Sequence, residues 1–310
     1  MRPPTASVNI AVKDRRALLA ACLDGLAQQT FTDFEVVVVD NGSTDGTAEM
    51  AQARTDLPIR VLRHDGSLGA VRNAGVAASA GTVVAFVDSD CVPTADWLAN
   101  GIVAFADERV ATVQGRTLPD PAAPAGAWPA TQHLTAFTGR YEACNLFYRR
   151  EALLRAGGFD ERIGFFGEDS MAGWAVKRLG LEEQFAESAV VHHAVTYPGV
   201  RWHWRRALQY GHFNAIIRRF PEARSLLWHR LFLRPASALT LAALVAPIAI
   251  SIGWTVDIWW LFYAGLVLPL PFLATHLRRS PKEIVASAGF DIAVELGLLW
   301  GSMRERTLVL

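Results

Sequence analysis

The sequence predicts an α/β fold followed by a membrane-associated helical region. Short apolar β-branched runs alternate with helical patterns from Ser7 to about Ala194, the rhythm that builds a mostly parallel sheet covered by helices. Two of those runs end in carboxylates, where open α/β sheets bind their ligands. Beyond residue 235 the chain turns apolar and nearly uncharged.

Strands are expected at Val8–Val12, Phe34–Asp40, Ile59–Arg63 and Thr82–Asp88. Between the first two, Leu18, Leu19, Cys22, Leu23 and Leu26 recur at helical spacing, and Ala70–Ala80 reads as another helix. Pro119, Pro121, Pro124 and Pro129 make Leu118–Pro129 an irregular connection, suited to a flap over a site. A later helix opens near Glu168 and stops at Gly180. The first domain is expected to span 1–220 and the helical region 221–310.

Thirty Lys and Arg balance thirty Asp and Glu among 310 residues, which disfavours a strongly basic nucleic-acid binder or an acidic disordered tail. At 51% hydrophobic and 19% charged, with a mean hydropathy of +0.20, the chain is greasier than an ordinary soluble domain. Cys22, Cys91 and Cys144 lack metal-ligand spacing and point to a reducing compartment. Met1–Ile10 lacks the basic start and apolar core of a secretion signal. From 201 to 234 eight arginines face one acid, Glu222, with Trp202, Trp204 and Trp228 interleaved.

Residues 236–256 then run for 21 positions without a charge, roughly 30 Å as a helix and the thickness of a hydrocarbon core. Residues 258–275 form a second run opened by Trp259 and Trp260, so a hairpin over about 236–275 is expected. Arginines before it and Arg278, Arg279 and Lys282 after it place both ends, and the catalytic domain, on the cytoplasmic side. Asp291 and Glu295 fit 284–303 to an interfacial or packed helix better than to a third span.

The candidate chemistry begins with Asp40-Asn41-Gly42-Ser43-Thr44-Asp45-Gly46, a carboxylate at a strand end followed by a glycine-bearing turn. Asp40 can accept hydrogen bonds from a base or ribose. Asp88-Ser89-Asp90 ends the fourth run, and two carboxylates so close need a cation or a hydrogen-bond network. Oxygen ligands shared with phosphates suit Mg²⁺ or Mn²⁺, whereas the nitrogen and sulfur ligands of Zn²⁺ are not expected nearby. Arg72 and Asn73, in the helix after Gly66-Ser67-Leu68-Gly69, can meet phosphate. Gly157-Gly158-Phe159-Asp160 makes a turn, and Glu168-Asp169 opens a helix where either acid would serve as a base. His192 and His193 point to opposite faces of a strand, so at most one reaches a metal site.

In this order, Phe34–Thr47, Arg72-Asn73-Ala74-Gly75, Phe86–Asp90, Gly157-Gly158-Phe159-Asp160 and Gly167-Glu168-Asp169 resemble the family 2 glycosyltransferases, whose catalytic domain has the GT-A fold. The resemblance covers about residues 7–215. It implies inverting transfer of one sugar from a nucleotide diphosphate sugar to a hydroxyl of a lipid-linked or glycan acceptor at the cytoplasmic membrane face. Implied roles follow. Asp169 is the catalytic base with Glu168 beside it; Asp40, Asn41, Arg72 and Asp88 hold the donor; and Asp90, Asp88 and His193 hold Mn²⁺ or Mg²⁺.

The chain departs from the family at Ala11-Val12-Lys13-Asp14-Arg15, where a Pro-x-Tyr-Asn sequence is usual, and at Ser170–Ala175, which lacks an extra acid and arginine. A Gln-x-x-Arg-Trp signature of processive synthases is also missing. Two other readings remain: a polyprenyl-phosphate sugar synthase, and a non-catalytic nucleotide-sugar-binding scaffold. A dinucleotide oxidoreductase fails for want of a glycine fingerprint after the first strand.

Overall fold

The computed structural model describes residues 2–310 except 164–165 and 277–279, and omits the side chains of 275 and 276. The chain divides into two compact units, Met1–Tyr197 and Pro198–Leu310.

The first unit opens with β1 (Ala6–Val12), α1 (Arg16–Ala27), β2 (Phe34–Asp40), α2 (Thr47–Gln52), β3 (Ile59–Arg63), α3 (Leu68–Ala78) and β4 (Val83–Val87). These four strands are parallel; β2 and β4 are covered on both faces, which explains why they read as nearly unbroken apolar runs, whereas β3 lies at the sheet edge and is partly exposed. Pairing of Val12 with Asp40, and of Asn9 with Phe86, sets the carboxyl ends of β2 and β4 at one edge on either side of β1.

After β4 the pattern changes. β5 (Cys91–Pro93), α4 (Trp97–Ile102), β6 (Val110–Pro119), β7 (Asn145–Arg149), α5 (Arg150–Arg155), α6 (Glu168–Lys177) and β8 (Glu182–His193) complete an eight-stranded sheet in the order β3-β2-β1-β4-β7-β6-β8-β5. β7 runs antiparallel to β4 and to β6, and β5 to β8, so the sheet is mixed, while the other strands all point one way and keep it mostly parallel, as expected. Asn145 fastens this half. Its buried amide accepts from Trp97 Nε1 at 2.8 Å and donates to the carbonyls of Arg116 and Ala189 at 2.9 Å. The proline-rich connection after β6 is irregular, as expected; Ala130 pairs with Thr196, and the Tyr197 hydroxyl bonds the Pro124 carbonyl.

The second unit contains α7 (Val200–Leu208), α8 (His212–Arg219), α9 (Pro235–Thr255), α10 (Trp259–Val267), α11 (Leu270–His276) and α12 (Pro281–Glu305). Because α7 and α8 pack on α12, residues 198–220 group with the C-terminal helices, not with the sheet as the expected boundary at 220 had them. Among the described residues two helices are long and apolar enough to cross a membrane, α9 and α12, with mean hydropathies of 2.0 and 1.5.

This alters the expected hairpin. The run 258–275 is split between α10 and α11 around Leu268 and Pro269, because proline supplies no N–H to continue the ladder. α12, expected to be an interfacial or packed helix, is packed on α7, α8 and α9, and it also has the length to span. Its Asp291 bonds Arg234 Nη2 at 2.6 Å and its Glu295 is fully buried, so both acids face protein and not lipid. A capping box starts α12, with the Ser280 N–H donating to Glu283 Oε2 at 2.8 Å. Arg278 and Arg279, expected to flank the second run, lie outside the described residues.

Candidate active site

The site is built at the carboxyl edge of β2, β1 and β4. Asp40, the last residue of β2, is buried, and both its carboxylate oxygens accept from the Ser43 N–H, at 3.3 and 3.2 Å. The turn after it needs the left-handed conformation at Gly42 (φ 75°) and Gly46 (φ 82°). Asp14 Oδ1 accepts from the Thr44 N–H at 2.7 Å, and Asp45 accepts from the Arg16 N–H at 3.1 Å, which locks this turn to the start of α1. The Thr47 hydroxyl first, and then the Arg16 N–H, hold the Asp45 carboxyl below its ordinary range. Asn41 is itself a clamp: its amide donates to the Gly66 carbonyl at 3.2 Å and accepts from the Gly66 N–H at 3.1 Å.

Arg72 projects from α3 into the interior. It forms an ion pair with Glu168, another with Asp88 Oδ1 at 3.3 Å, and its guanidinium lies 5.7 Å from the Phe159 ring centre. Beside it, Asn73 donates to the Phe159 carbonyl and accepts from the Phe159 N–H, both at 2.9 Å, and donates to Glu161 at 2.8 Å. Arg72-Asn73 and the Gly-Gly-Phe-Asp turn are therefore one device. Gly69 belongs to it as well, since a Cβ there would stand 2.9 Å from the Asp160 carbonyl oxygen. A small cavity beside Asp88 is lined by Asn9, Ala11, Val71, Arg72, Phe86 and Ala143.

Glu168, expected beside the base, is buried and committed to Arg72. Asp169 follows it at the N-terminus of α6, entered through Gly167 at φ 97°. Its Oδ1 accepts from the Ser170 N–H at 2.7 Å and its Oδ2 from the Ala143 N–H at 3.3 Å. The surrounding protein and the Glu168 charge push the Asp169 carboxyl up to about 8, against the pull of Arg72. Asp88 is also raised, chiefly by desolvation, with Arg72 opposing and the Asp90 charge adding.

His193 reaches the D-x-D turn because β5 and β8 pair antiparallel with Cys91 opposite His193. His193 Nε2 lies 3.6 Å from Asp90 Oδ1, an otherwise unpartnered buried oxygen. The other ring nitrogen, Nδ1, stands 2.7 Å from the Ala194 carbonyl oxygen, which can only accept, so Nδ1 is held as a donor and Nε2 is the nitrogen turned to Asp90. His192 sits one residue away on the opposite face. An orphaned carboxylate oxygen facing a histidine ring nitrogen is a pair of donor atoms that fits a divalent cation.

Sequence reasoning missed two side chains here. Cys91, adjacent to Asp90, brings its Sγ within 4.8 Å of the Asp90 and His193 ligand atoms, so sulfur and nitrogen are present after all. A hydrogen bond with Cys144, then burial, raises its thiol, and a protonated thiol is a poor ligand. Arg15, passed over as part of a departure from the family pattern, is ion-paired to Asp90. Neither had a local signal, since both assignments depend on strand pairing and on how the β1–α1 turn folds back.

With this geometry in hand, comparison with known proteins is decisive for the family: the description "Glycosyl transferase family 2" matches residues 7–166, over half of the chain. The chain belongs to glycosyltransferase family 2. It is 36% identical to glycosyltransferase AglE of Haloferax volcanii over 118 residues, which are 36% of this chain and 39% of the relative. A PGL/p-HBAD biosynthesis glycosyltransferase of Mycobacterium bovis is 38% identical over 113 residues, 35% of this chain and 44% of that one. The chain thus matches less than half the length of these curated relatives.

Among solved structures, the mannosyltransferase PcManGT of Pyrobaculum calidifontis, in complex with GDP-Man and Mn²⁺, superposes with a TM-score of 0.64 at 21% identity. That match covers 96% of this chain and 88% of PcManGT. S. aureus TarS 1–349 in complex with UDP-GlcNAc gives 0.52 at 19% identity, covering 98% and 92%. These likenesses show that this family 2 member has the GT-A fold.

Proposed function

We propose that the protein is a metal-dependent, inverting glycosyltransferase that moves one sugar from a nucleotide diphosphate sugar to an acceptor hydroxyl. The observation that carries this reading is Asp169: a carboxyl raised to about 8, at a helix N-terminus, beside the Arg72 guanidinium that is ion-paired to Asp88. A base titrating near neutrality can take a proton from a sugar or lipid-linked hydroxyl as that oxygen attacks.

In the proposed reaction Asp40 and the turn locked by Asn41 seat the nucleoside, and Asp88, held by Arg72, meets the ribose. Asp90 and His193 would hold Mn²⁺ or Mg²⁺, which when bound neutralises charge on the departing diphosphate. Asp169 accepts the acceptor's hydroxyl proton, the new C1–O bond forms on the face opposite the leaving group, and the C1–O bond to phosphate breaks with its electrons going to the nucleoside diphosphate. Single displacement inverts the anomeric centre. Glu168 acts through Arg72, keeping that guanidinium at Asp88.

Two apolar helices and the arginine- and tryptophan-rich stretch support an acceptor presented at the cytoplasmic membrane face, a lipid-linked sugar or glycan. The names of the relatives and the nucleotide sugars bound by PcManGT and TarS agree with a donor of this class. Release of nucleoside diphosphate, followed with UDP-, GDP- and dTDP-sugars in Mn²⁺ and in EDTA, tests the reading. Transfer should require one donor and the ion, and no release with any donor would leave a binding scaffold. Full turnover by Asp169→Asn would instead indicate a lipid-phosphate acceptor that needs no base.

A further inference from the structure

We propose that Arg15 is a mobile counter-charge of the cation site: its guanidinium holds Asp90 when neither ion nor donor is bound, and passes to the donor's diphosphate when the ion takes Asp90. The inference rests on the metal-dependent reading above and assigns a role to a residue that reading leaves unused.

Two carboxylates, Asp88 and Asp90, share this rim, and two arginines serve them differently. Arg72 is bonded to both Asp88 and Glu168, and its side chain is only 6% exposed, so its position is fixed. Arg15 is 41% exposed, and its side chain bonds Asp90 alone among the described residues. Its backbone is anchored, with the N–H donating to Thr47 Oγ1 at 3.1 Å, while Asp14 before it is tied to Ser43 and Thr44. A fixed backbone beneath a half-exposed, singly bonded side chain is a swinging arm.

Asp90 receives Arg15 on Oδ2 and turns its orphaned Oδ1 to His193. A divalent ion between Asp90 and His193 would stand against the guanidinium, and like charges at that separation repel strongly in a partly buried site. Ion and Arg15 therefore compete for one carboxylate. A diphosphate arriving with the ion offers Arg15 new anionic acceptors, so the competition is relieved only when both ligands are present. Arg15 thus couples the two binding events, and the coupling is reciprocal.

The test is Mn²⁺ binding by the full chain in detergent, read from the loss of the free-ion EPR signal, with and without UDP, GDP or dTDP. Without nucleotide, Arg15→Ala and Arg15→Gln should bind Mn²⁺ about tenfold tighter than the parent, and the enhancement of Mn²⁺ binding by nucleotide should shrink by a similar factor. Arg15→Lys, which keeps the charge, should fall between. His193→Ala should weaken Mn²⁺ binding in both conditions, identifying the site observed. Unchanged or weaker Mn²⁺ binding by both neutral variants, with the parent binding normally, overturns the role of Arg15 and leaves the metal site standing. If neither parent nor variants bind Mn²⁺ even with nucleotide, the metal-dependent reading falls and takes this inference with it.

Discussion

Arg72 and Glu168, 96 positions apart in the chain, form an ion pair in the interior, and Asp88 approaches the same guanidinium at 3.3 Å. The pair joins α3 to the start of α6 and so fixes, through one arginine, both Asp88 and the helix that presents Asp169. Stability and chemistry are coupled at this point, and the first expectation concerns it.

Removing one partner strands the other charge in a dry environment. Arg72→Ala or Glu168→Ala should destabilise the first unit by about 3–5 kcal/mol, measured by urea unfolding. Because each single change already breaks the same interaction, the double variant should cost clearly less than the sum. Additive losses would show that the two side chains do not act on each other.

Asp169 gives a pH dependence with a definite sign. Its folded-state carboxyl is raised from 3.8 to about 8, so its favourable contribution to the fold is complete below the ordinary value and is lost as pH rises through about 8. Asp169→Asn should accordingly melt higher than the parent above pH 8, with the difference closing toward pH 4. Transfer to a hydroxyl should fall about 10²–10⁴-fold in the variant. The parent's kcat/KM should climb with pH toward a limb near 8 in the same buffers.

The clamp on the Gly-Gly-Phe-Asp turn predicts a defect that begins away from the reacting atoms. Asn73→Ala removes three side-chain hydrogen bonds and should cost about 1–3 kcal/mol. Gly69→Ala forces the Asp160 backbone aside and should lower Tm as well. In both variants a thermal-shift titration should show weakened donor stabilisation; wild-type donor response in both would detach the turn from the site.

The helical unit predicts behaviour on fractionation. With α9 and α12 both long enough to span, the full chain should sediment with membranes, resist extraction by high salt, and be released by detergent. Release by salt alone would mean that the apolar faces of these helices are satisfied within the protein and that the association is electrostatic.

Much of the first half was legible because its signals are local. Parallel strands buried on both faces read as apolar runs, so β2 and β4 stood out, and the β-branched residues of β1 and β3 placed those strands too at nearly their observed bounds. Asp40, Asp88 and Asp90 could be placed at one edge from the βα rhythm alone. β5, β6 and β7 were not among the expected strands, because each is defined by pairing with partners far away in the chain. The apolar C-terminal helices were recognised but bounded differently, because hydropathy cannot tell an acid facing a neighbouring helix, such as Glu295, from one facing outward.

The sequence by itself determined the α/β class, the family, the carboxylates at the strand ends and the presence of apolar helices, since each is written in runs of adjacent residues. Tertiary structure alone decided which acid is free and which is paired: Glu168 and Asp169 are neighbours of like chemistry, and only their surroundings direct one to Arg72 and leave the other a raised carboxyl. It likewise brought His193 and Arg15 to Asp90, because an antiparallel pairing and a folded-back turn join residues whose separation along the chain carries no trace of their meeting.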